Sequence, residues 1–146
     1  MSVEQKNVTR NQSTALYTLE HIFLFDNRYD EKTFNNTTAT AQVTLLPGHL
    51  LFKLNATDVD LLDAAANIEN VVGICAVAEE NIVADAGTLP INMAIQGDIA
   101  EEGLVLTGGV TLDTVIPTTQ LTLRDRLNEL GFHLVSGVEN TKHDNN

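Results

Sequence analysis

Residues 71–79 read VVGICAVAE, an apolar run that contains one glycine and the only cysteine of the chain. A run of this length predicts a buried strand. The alternative is a reactive-thiol site with Cys75 as its nucleophile. No basic side chain neighbours Cys75 in the sequence, and apolar surroundings raise the pKa of a thiol and make it unreactive. The sequence therefore favours a core strand in which Cys75 fills a small apolar slot beside Gly73.

The composition is that of one globular domain with an aliphatic core. The chain has 146 residues, of which 43% are hydrophobic and only 5% aromatic. A chain of this length buries roughly 68–70% of the surface that it exposes when unfolded. A single cysteine excludes an internal disulfide and fits a reducing compartment. No apolar run approaches the ~18 residues of a membrane span, and no secretory signal is evident, so synthesis in the cytoplasm is expected.

The charge of the chain is strongly negative and unevenly distributed. The net charge is −12, and no Lys or Arg lies between Lys53 and Arg124, a stretch that holds eleven acidic residues. Such a surface repels phosphate backbones, so direct binding of nucleic acid is not expected. The amino-terminal segment is nearly balanced in charge and is therefore better suited to approach a partner.

The predicted fold is mixed α/β and β-rich: a compact small domain of short strands with one or two short helices and a flexible amino-terminal arm. Polar composition predicts that residues 1–41 form the arm and a connector. Residues 42–138 are predicted to form the domain, and residues 139–146 a disordered tail. No internal repeat is evident.

Short strands are predicted along most of the domain. QVTLL and HLLFKLN flank a Pro47-Gly48 turn and read as strand, tight turn, strand. Residues 91–106 are predicted to form two short strands punctuated by Gly97 and Gly103, and FHLVSGV is predicted to be the last strand. The pattern of residues 19–25 is compatible with a helix or a strand, and residues 27–41 read as a polar connector without core residues.

Two short helices are expected. In the first, Asp58 or Asp60 would cap a helix that carries Leu61, Leu62, Ala65 and Ile68. The second is LRDRLNEL, in which Thr122 stands at the N-cap and Asp125 follows three residues later. Gly131 comes where a left-handed C-terminal residue belongs.

The residues that commonly carry chemistry form no recognisable motif. His21, His49, His133 and His143 lack the spacing of metal ligands. The triplet Asp58-Val-Asp60 lacks the further ligands and the glycine of a calcium loop. The carboxylate pairs Glu79-Glu80 and Glu101-Glu102 are typical of solvated turns. We therefore predict no metal, no cofactor and no catalytic residue.

Several segments resemble the head decoration, or capsid-stabilising, proteins of tailed bacteriophages, the family of the phage lambda decoration protein. In that family a small-Gly-Ile-x-Ala strand is followed by an apolar strand that runs into Gly-x-aliphatic and a further aliphatic segment. LLPGHLLFKL resembles the strands that open the family's domain, and LNELGFHLVSG resembles the helix and strand that close it in longer relatives. The resemblance covers residues 42–136, whereas residues 15–34 have no counterpart. The matching positions are Gly73, Ile74, Ala76, Gly97, Ile99 and 104–106.

The resemblance implies a viral structural protein without enzymatic activity. It implies homotrimers on the threefold and quasi-threefold positions of an expanded icosahedral shell, where they bind the major capsid protein and stabilise the shell against packaged DNA. It also implies an amino-terminal arm that adds a strand to the capsid protein, which needs only backbone hydrogen bonds and residues that suit an extended chain. The expected location is the capsid surface of the virion, with no membrane partner. The arm residues expected to touch the capsid are Val8, Thr9, Arg10, Thr14, Leu16, Tyr17 and Leu19.

Two other functions remain open from the sequence. One is a different phage structural or host-attachment module. The other is a small trimeric β-rich enzyme with an active site between subunits, built from residues such as His49, Asp58, Asp85 and His133.

Overall fold

The computed structural model describes residue 19, residues 21–37 and residues 41–136. In these ranges eight strands and one complete α-helix are formed, with short 3₁₀ helices at Ala65–Asn70 and Glu101–Gly103 and further helical residues at 19 and 21–22. The helix, α1, spans Leu123–Leu130. The strands are β1 (Phe23–Asn35), β2 (Val43–Leu45), β3 (Leu50–Lys53), β4 (Asp58–Leu61), β5 (Val71–Cys75), β6 (Asn81–Val83), β7 (Thr88–Ala100) and β8 (Phe132–Val135).

Five of these strands close into a small barrel. The sheet order is β1-β4-β3-β5-β7-β8, and β1 also pairs with β7, which joins the first and fifth strands. β1 runs parallel to β4 and antiparallel to β7, while β8 extends the sheet by pairing in parallel with residues 97–100 of β7. β2 and β6 form a separate antiparallel pair.

The alternation of side chains along the barrel strands divides the core in two. The inner cluster contains side chains from every barrel strand, among them Phe34, Leu51, Val59, Cys75 and Met93, together with Leu45 and Val83 of the small sheet. Their neighbours Leu50, Ile74 and Ala94 point to the opposite face and belong to an outer cluster. Leu123 and Leu127 of α1 belong to that outer cluster. The helix therefore packs on the outside of the barrel, and VVGIC contributes to both cores at once.

The predicted fold class is confirmed, since the described chain is β-rich, with 46% strand and few helices. Residues 71–75 of the opening run form β5, and all five of these residues except Val72 are buried. Most strands are short, but β1 and β7 have 13 residues each. The predicted flexible arm and disordered tail fall on residues outside the described ranges.

The reading of residues 27–41 as a connector without core residues was wrong for residues 27–35. They continue β1, which pairs with β7 from Phe23 to Asn35 and also with β4. Phe34 of this segment is fully buried in the inner cluster. Most side chains between Phe25 and Glu31 are exposed, so the strand carries little of the alternation that reveals strands in a sequence. The open choice between helix and strand for residues 19–25 has both outcomes, because Leu19, His21 and Ile22 are helical and the strand begins at Phe23.

Gly97 and Gly103 do not punctuate two short strands, because β7 is one strand that runs through Gly97. Gly97 has φ 135°, and a Cβ atom there would collide with Asn27 of β1. The glycine thus allows a close approach between paired strands and ends neither of them. Gly103 ends a 3₁₀ helix, and the aliphatic segment after it forms only an isolated bridge from Val105 to His49.

The strands around Pro47-Gly48 were predicted correctly, but they do not pair with each other. β2 pairs with β6, whereas β3 pairs with β4 and β5. The Gly48 N–H donates to the Cys75 carbonyl oxygen at 2.9 Å, which fixes the turn to β5. The turn therefore connects the small sheet of β2 and β6 to the barrel.

The prediction of a helix capped by Asp58 or Asp60 is wrong, because both residues lie in β4. The 3₁₀ helix that follows starts only at Ala65, and its N-cap Ala64 makes no side-chain hydrogen bond. The second helix is confirmed in detail. Thr122 and Asp125 form a reciprocal capping box, and Gly131 ends α1 in the left-handed conformation.

Candidate functional surfaces

Cys75 is a core residue and not a reactive thiol. Its exposed fraction is 0%, and it lies in the inner cluster opposite Met93 of β7. Burial raises the pKa of the thiol to about 11. The thiolate, which is the nucleophilic form, is therefore scarce at neutral pH. The core interpretation of VVGICAVAE is confirmed.

The four residues of the alternative enzyme site lie in separate parts of the fold. The buried His49 accepts a hydrogen bond at Nδ1 from the Leu46 N–H at 3.0 Å. Burial lowers the pKa of His49 to about 4, so its imidazole is neutral at neutral pH. The exposed His133 on β8 lies 3.6 Å from Asp98. Asp58 begins β4, where it contacts Asn55 and Thr57 of the preceding turn, and Asp85 is exposed before β7.

Metal-ligating side chains do not gather within the described ranges. No group of three or more His, Cys, Asp or Glu residues there is placed to hold a metal ion. Asp60 is fully buried, yet its carboxylate accepts from the Thr37 N–H at 3.1 Å and from the Thr37 hydroxyl at 2.6 Å. These bonds tie the end of β1 to β4, and this gives Asp60 a structural role.

A surface cleft of about 610 Å³ lies between β7, the adjacent part of β1 and the loop of residues 76–81. Its polar lining consists of Glu31, Glu79, Asn81 and Asn92, with no basic side chain. The volume falls in the range of ligand pockets. Among the described residues, the buried polar atoms without a hydrogen-bond partner all lie outside this cleft. The cleft is acidic, because two of its polar lining residues are glutamates and none is basic.

Of the seven arm residues predicted to touch a capsid, only Leu19 falls within the described ranges. Leu19 is partly buried and packs against the outer cluster. Leu19 therefore packs on the domain core, because the same cluster contains the neighbouring Ile22 and Phe23. The predicted roles of Val8, Thr9, Arg10, Thr14, Leu16 and Tyr17 concern residues outside the described ranges.

The most exposed aromatic surface is the amino-terminal half of β1. Phe25 is 69% exposed and Tyr29 46% exposed. The Tyr29 ring packs edge-on against the buried Phe23, with a centroid distance of 6.1 Å, and burial raises the pKa of its phenol. Sequence reasoning missed the part of this surface around Tyr29, because residues 27–41 were interpreted as a connector. The available signal was the combination of Tyr29, Thr33 and Phe34, which favours a strand.

Basic side chains in the described part of the chain largely contact acceptors of the chain itself. Lys32 lies 3.5 Å from Asp30 and donates to the Ala56 carbonyl oxygen. Arg124 forms an ion pair with Glu101, and Arg126 donates to the Val71 carbonyl oxygen at 3.0 Å. The two arginine contacts fix α1 to β5 and to the 3₁₀ helix after β7. The described basic side chains form no basic patch.

No protein-family model matches the chain, and no curated protein is significantly similar to it. In the described ranges, none of the helices has the length and apolar character needed to cross a membrane.

Proposed function

We propose that the protein is a capsid decoration protein of a tailed bacteriophage. It binds the major capsid protein on the outer surface of an expanded icosahedral shell, as homotrimers at threefold and quasi-threefold positions. There it stabilises the shell against the pressure of packaged DNA. The protein is made in the host cytoplasm and works in the virion, without a cofactor and without covalent chemistry.

The observation that carries the proposal is the family resemblance of residues 73–106, taken with the place of these residues in the fold. The small-Gly-Ile-x-Ala segment is the end of β5, and the apolar segment after it is β7, with Ile74 opposite Ala94. A Cβ atom at Gly73 would lie 2.5 Å from the Ala94 carbonyl oxygen and 2.6 Å from Met93 Cγ. The glycine of the resembling motif thus has a physical reason in this fold, since β7 approaches β5 at that point.

The surface chemistry supports a binding role. Large apolar side chains are exposed on β1 and β6, at Phe25, Tyr29 and Ile82, where they are available to a protein partner. Eleven acidic residues and no Lys or Arg lie between Lys53 and Arg124. This charge keeps free copies apart and does not attract DNA.

The amino-terminal arm is proposed to supply the capsid contact by strand addition. Its residues precede β1, which enters the barrel at Phe23. A segment that becomes ordered on binding loses conformational entropy, and many identical contacts on one lattice offset that loss. Because Leu19 packs on the domain core, we take the arm to end at residue 18.

The test is cosedimentation of the purified protein with shells of its own major capsid protein. We expect binding to expanded empty capsids and no binding to compact procapsids. Deletion of residues 1–18 is expected to abolish binding, whereas deletion of residues 137–146 removes the other end of the chain and serves as the matched control. Equal binding to both forms of the shell, or to neither, would contradict the proposal. Normal decoration by the protein that lacks residues 1–18 would contradict the role of the arm.

A further inference from the structure

The amino-terminal half of β1 has one edge that no described strand covers. β7 lies along the whole of β1 on one side, whereas β4 pairs on the other side only with Thr33 and Phe34. The Thr33 N–H donates to the Thr57 carbonyl oxygen at 3.0 Å, on the β4 side. Main-chain groups alternate between the two edges of a strand, so Tyr29 and Glu31 direct their N–H and C=O groups to this same side. These groups form a short template for another strand.

Charges alternate along this part of β1. Arg28, Asp30 and Lys32 occupy every second position and therefore share one face of the strand. The register shift beside Arg28 leaves this alternation intact, because the pairs Arg28–Gln96 and Tyr29–Ala94 place the extra residue, Ile95, in β7. Lys32 Nζ lies 3.5 Å from Asp30 Oδ2 within this row. The side chain of Asp30 is 52% exposed, which leaves it accessible to a further cation.

We propose that this edge binds the same edge of a second copy of this chain, as an antiparallel strand pair around a twofold axis at Tyr29. Tyr29 of one copy then lies opposite Tyr29 of the other, and their main-chain groups form the central hydrogen bonds. Arg28 lies opposite Asp30 of the second copy, and the symmetry repeats this pair.

The charges favour a second copy of the chain as the partner strand and Tyr29 as the centre of the register. A twofold axis at Asp30 would place the two Asp30 carboxylates opposite each other, and an axis at Glu31 would do the same with Glu31. Directly opposed like charges destabilise a strand pair, whereas opposite charges and aromatic pairs stabilise it. A charged edge also resists unspecific strand addition. The charges therefore disfavour registers centred on Asp30 or Glu31, whereas the register centred on Tyr29 brings opposite charges together.

The contact is short. β4 covers the edge from Thr33 onward, and Asp26 has φ 55°, which bends the strand away from regular pairing. Regular pairing is thus limited to about residues 27–31, which makes the contact weak between free proteins. Copies held side by side on a surface would form it far more readily, because their effective concentration is high. The strand pair itself does not depend on the capsid role.

Charge reversal provides a test on the full chain. Arg28→Glu places a glutamate opposite Asp30, and Asp30→Arg places an arginine opposite Arg28, so each variant alone has only like charges. In a mixture of the two variants, both pairs of the heterodimer are attractive again. We expect each variant alone to self-associate about tenfold more weakly than the wild type, and the equimolar mixture to regain the affinity. Sedimentation velocity over a concentration series at low ionic strength measures association as a rise of the weight-average mass above that of the basal unit, whether that unit is a monomer or a trimer.

Two control variants carry the same charge changes away from the edge. Lys53 is exposed on β3, and Asp85 is exposed before β7. The variants Lys53→Glu and Asp85→Arg should therefore associate like the wild type. As a second measurement, Tyr29→Cys should form a covalent dimer on mild oxidation, whereas Asp85→Cys should not; Cys75 is buried and does not interfere. Undiminished association of both edge variants, or a mixture no stronger than its components, would overturn the proposal. Failure of Tyr29→Cys to cross-link would also overturn it.

Discussion

Cys75 occupies a position where packing, and not thiol chemistry, determines what a substitution does. It is fully buried in the inner cluster, and burial raises its pKa to about 11. We expect Cys75→Ala to lower the free energy of unfolding by about 1 kcal/mol, because one buried atom is lost, while capsid binding stays unchanged. A thiol reagent at pH 8 should label the native wild type only after unfolding in urea. Asp85→Cys provides an exposed thiol as the positive control, and rapid labelling of native Cys75 would contradict the core assignment.

His49 makes the stability of the protein depend on pH. Burial lowers its pKa to about 4 in the folded state, whereas an unfolded chain has a histidine pKa near 6.5. Between these values the unfolded state binds more protons, so stability falls as the pH drops from about 6.5 to 4. The loss reaches about 3 kcal/mol at most, since one pKa unit corresponds to about 1.4 kcal/mol.

His49→Asn isolates this contribution. The Asn side-chain oxygen can accept the Leu46 N–H in place of Nδ1, but it does not titrate in this range. Urea unfolding at pH 7 and pH 4.5 should show a larger drop in stability for the wild type than for the variant. The comparison between the two proteins is needed because the chain also has 20 acidic residues that titrate at low pH. Equal drops in both proteins would show that His49 is not the source.

At the scale of the element, the pairing of β7 with β1 requires a glycine at position 97. A Cβ atom at Gly97, where φ is 135°, would collide with Asn27, whereas a Cβ atom at Gly109, where φ is 78°, would meet no atom within 4 Å. Gly109→Ala therefore suffers backbone strain alone, at about 1 kcal/mol, and Gly97→Ala suffers both strain and overlap, at about 3 kcal/mol or more. Urea midpoints of the two variants measure the difference. Equal destabilisation would mean that the paired strands can separate at Gly97 without loss.

Elements that depend on local interactions could be predicted from the sequence. The capping box of Thr122 and Asp125 and the left-handed Gly131 all lie within one segment, and α1 has the predicted bounds. β1 and β7 could not be predicted in the same way, because their main-chain partners are about 60 residues apart in the sequence and accept almost any side chain. Asp60 illustrates the same limit. A carboxylate before an apolar run resembles a helix cap, and only the pairing of Asp60 with Phe52 of β3 shows that it lies in a strand.

At the scale of the whole molecule, the closure of the barrel could not be predicted from sequence patterns. It requires β1 to pair with both β4 and β7, and every strand of the barrel contributes to the inner cluster. The exposed edge of β1 could not be recognised as a candidate surface before β1 itself was known as a strand. The absence of a recognisable catalytic or metal motif, in contrast, follows from residue types and spacing, which are properties of the sequence alone.

The importance of β1 for the whole fold leads to a prediction about truncation. Deletion of residues 1–18 leaves all described core residues in place, so we expect cooperative unfolding in urea with a free energy within about 1 kcal/mol of the wild type. Deletion of residues 1–35 removes β1, including the fully buried Phe34, and exposes an entire edge of β7. Since loss of Phe34 alone should cost about 3–5 kcal/mol, and native stability is only about 5–15 kcal/mol, this shorter chain should not fold. Circular dichroism and urea titration of both truncated proteins measure the outcome. A folded chain that begins at residue 36 would mean that the barrel can close without β1, and would place the origin of its stability in β3, β5 and β7 with the helix that covers them.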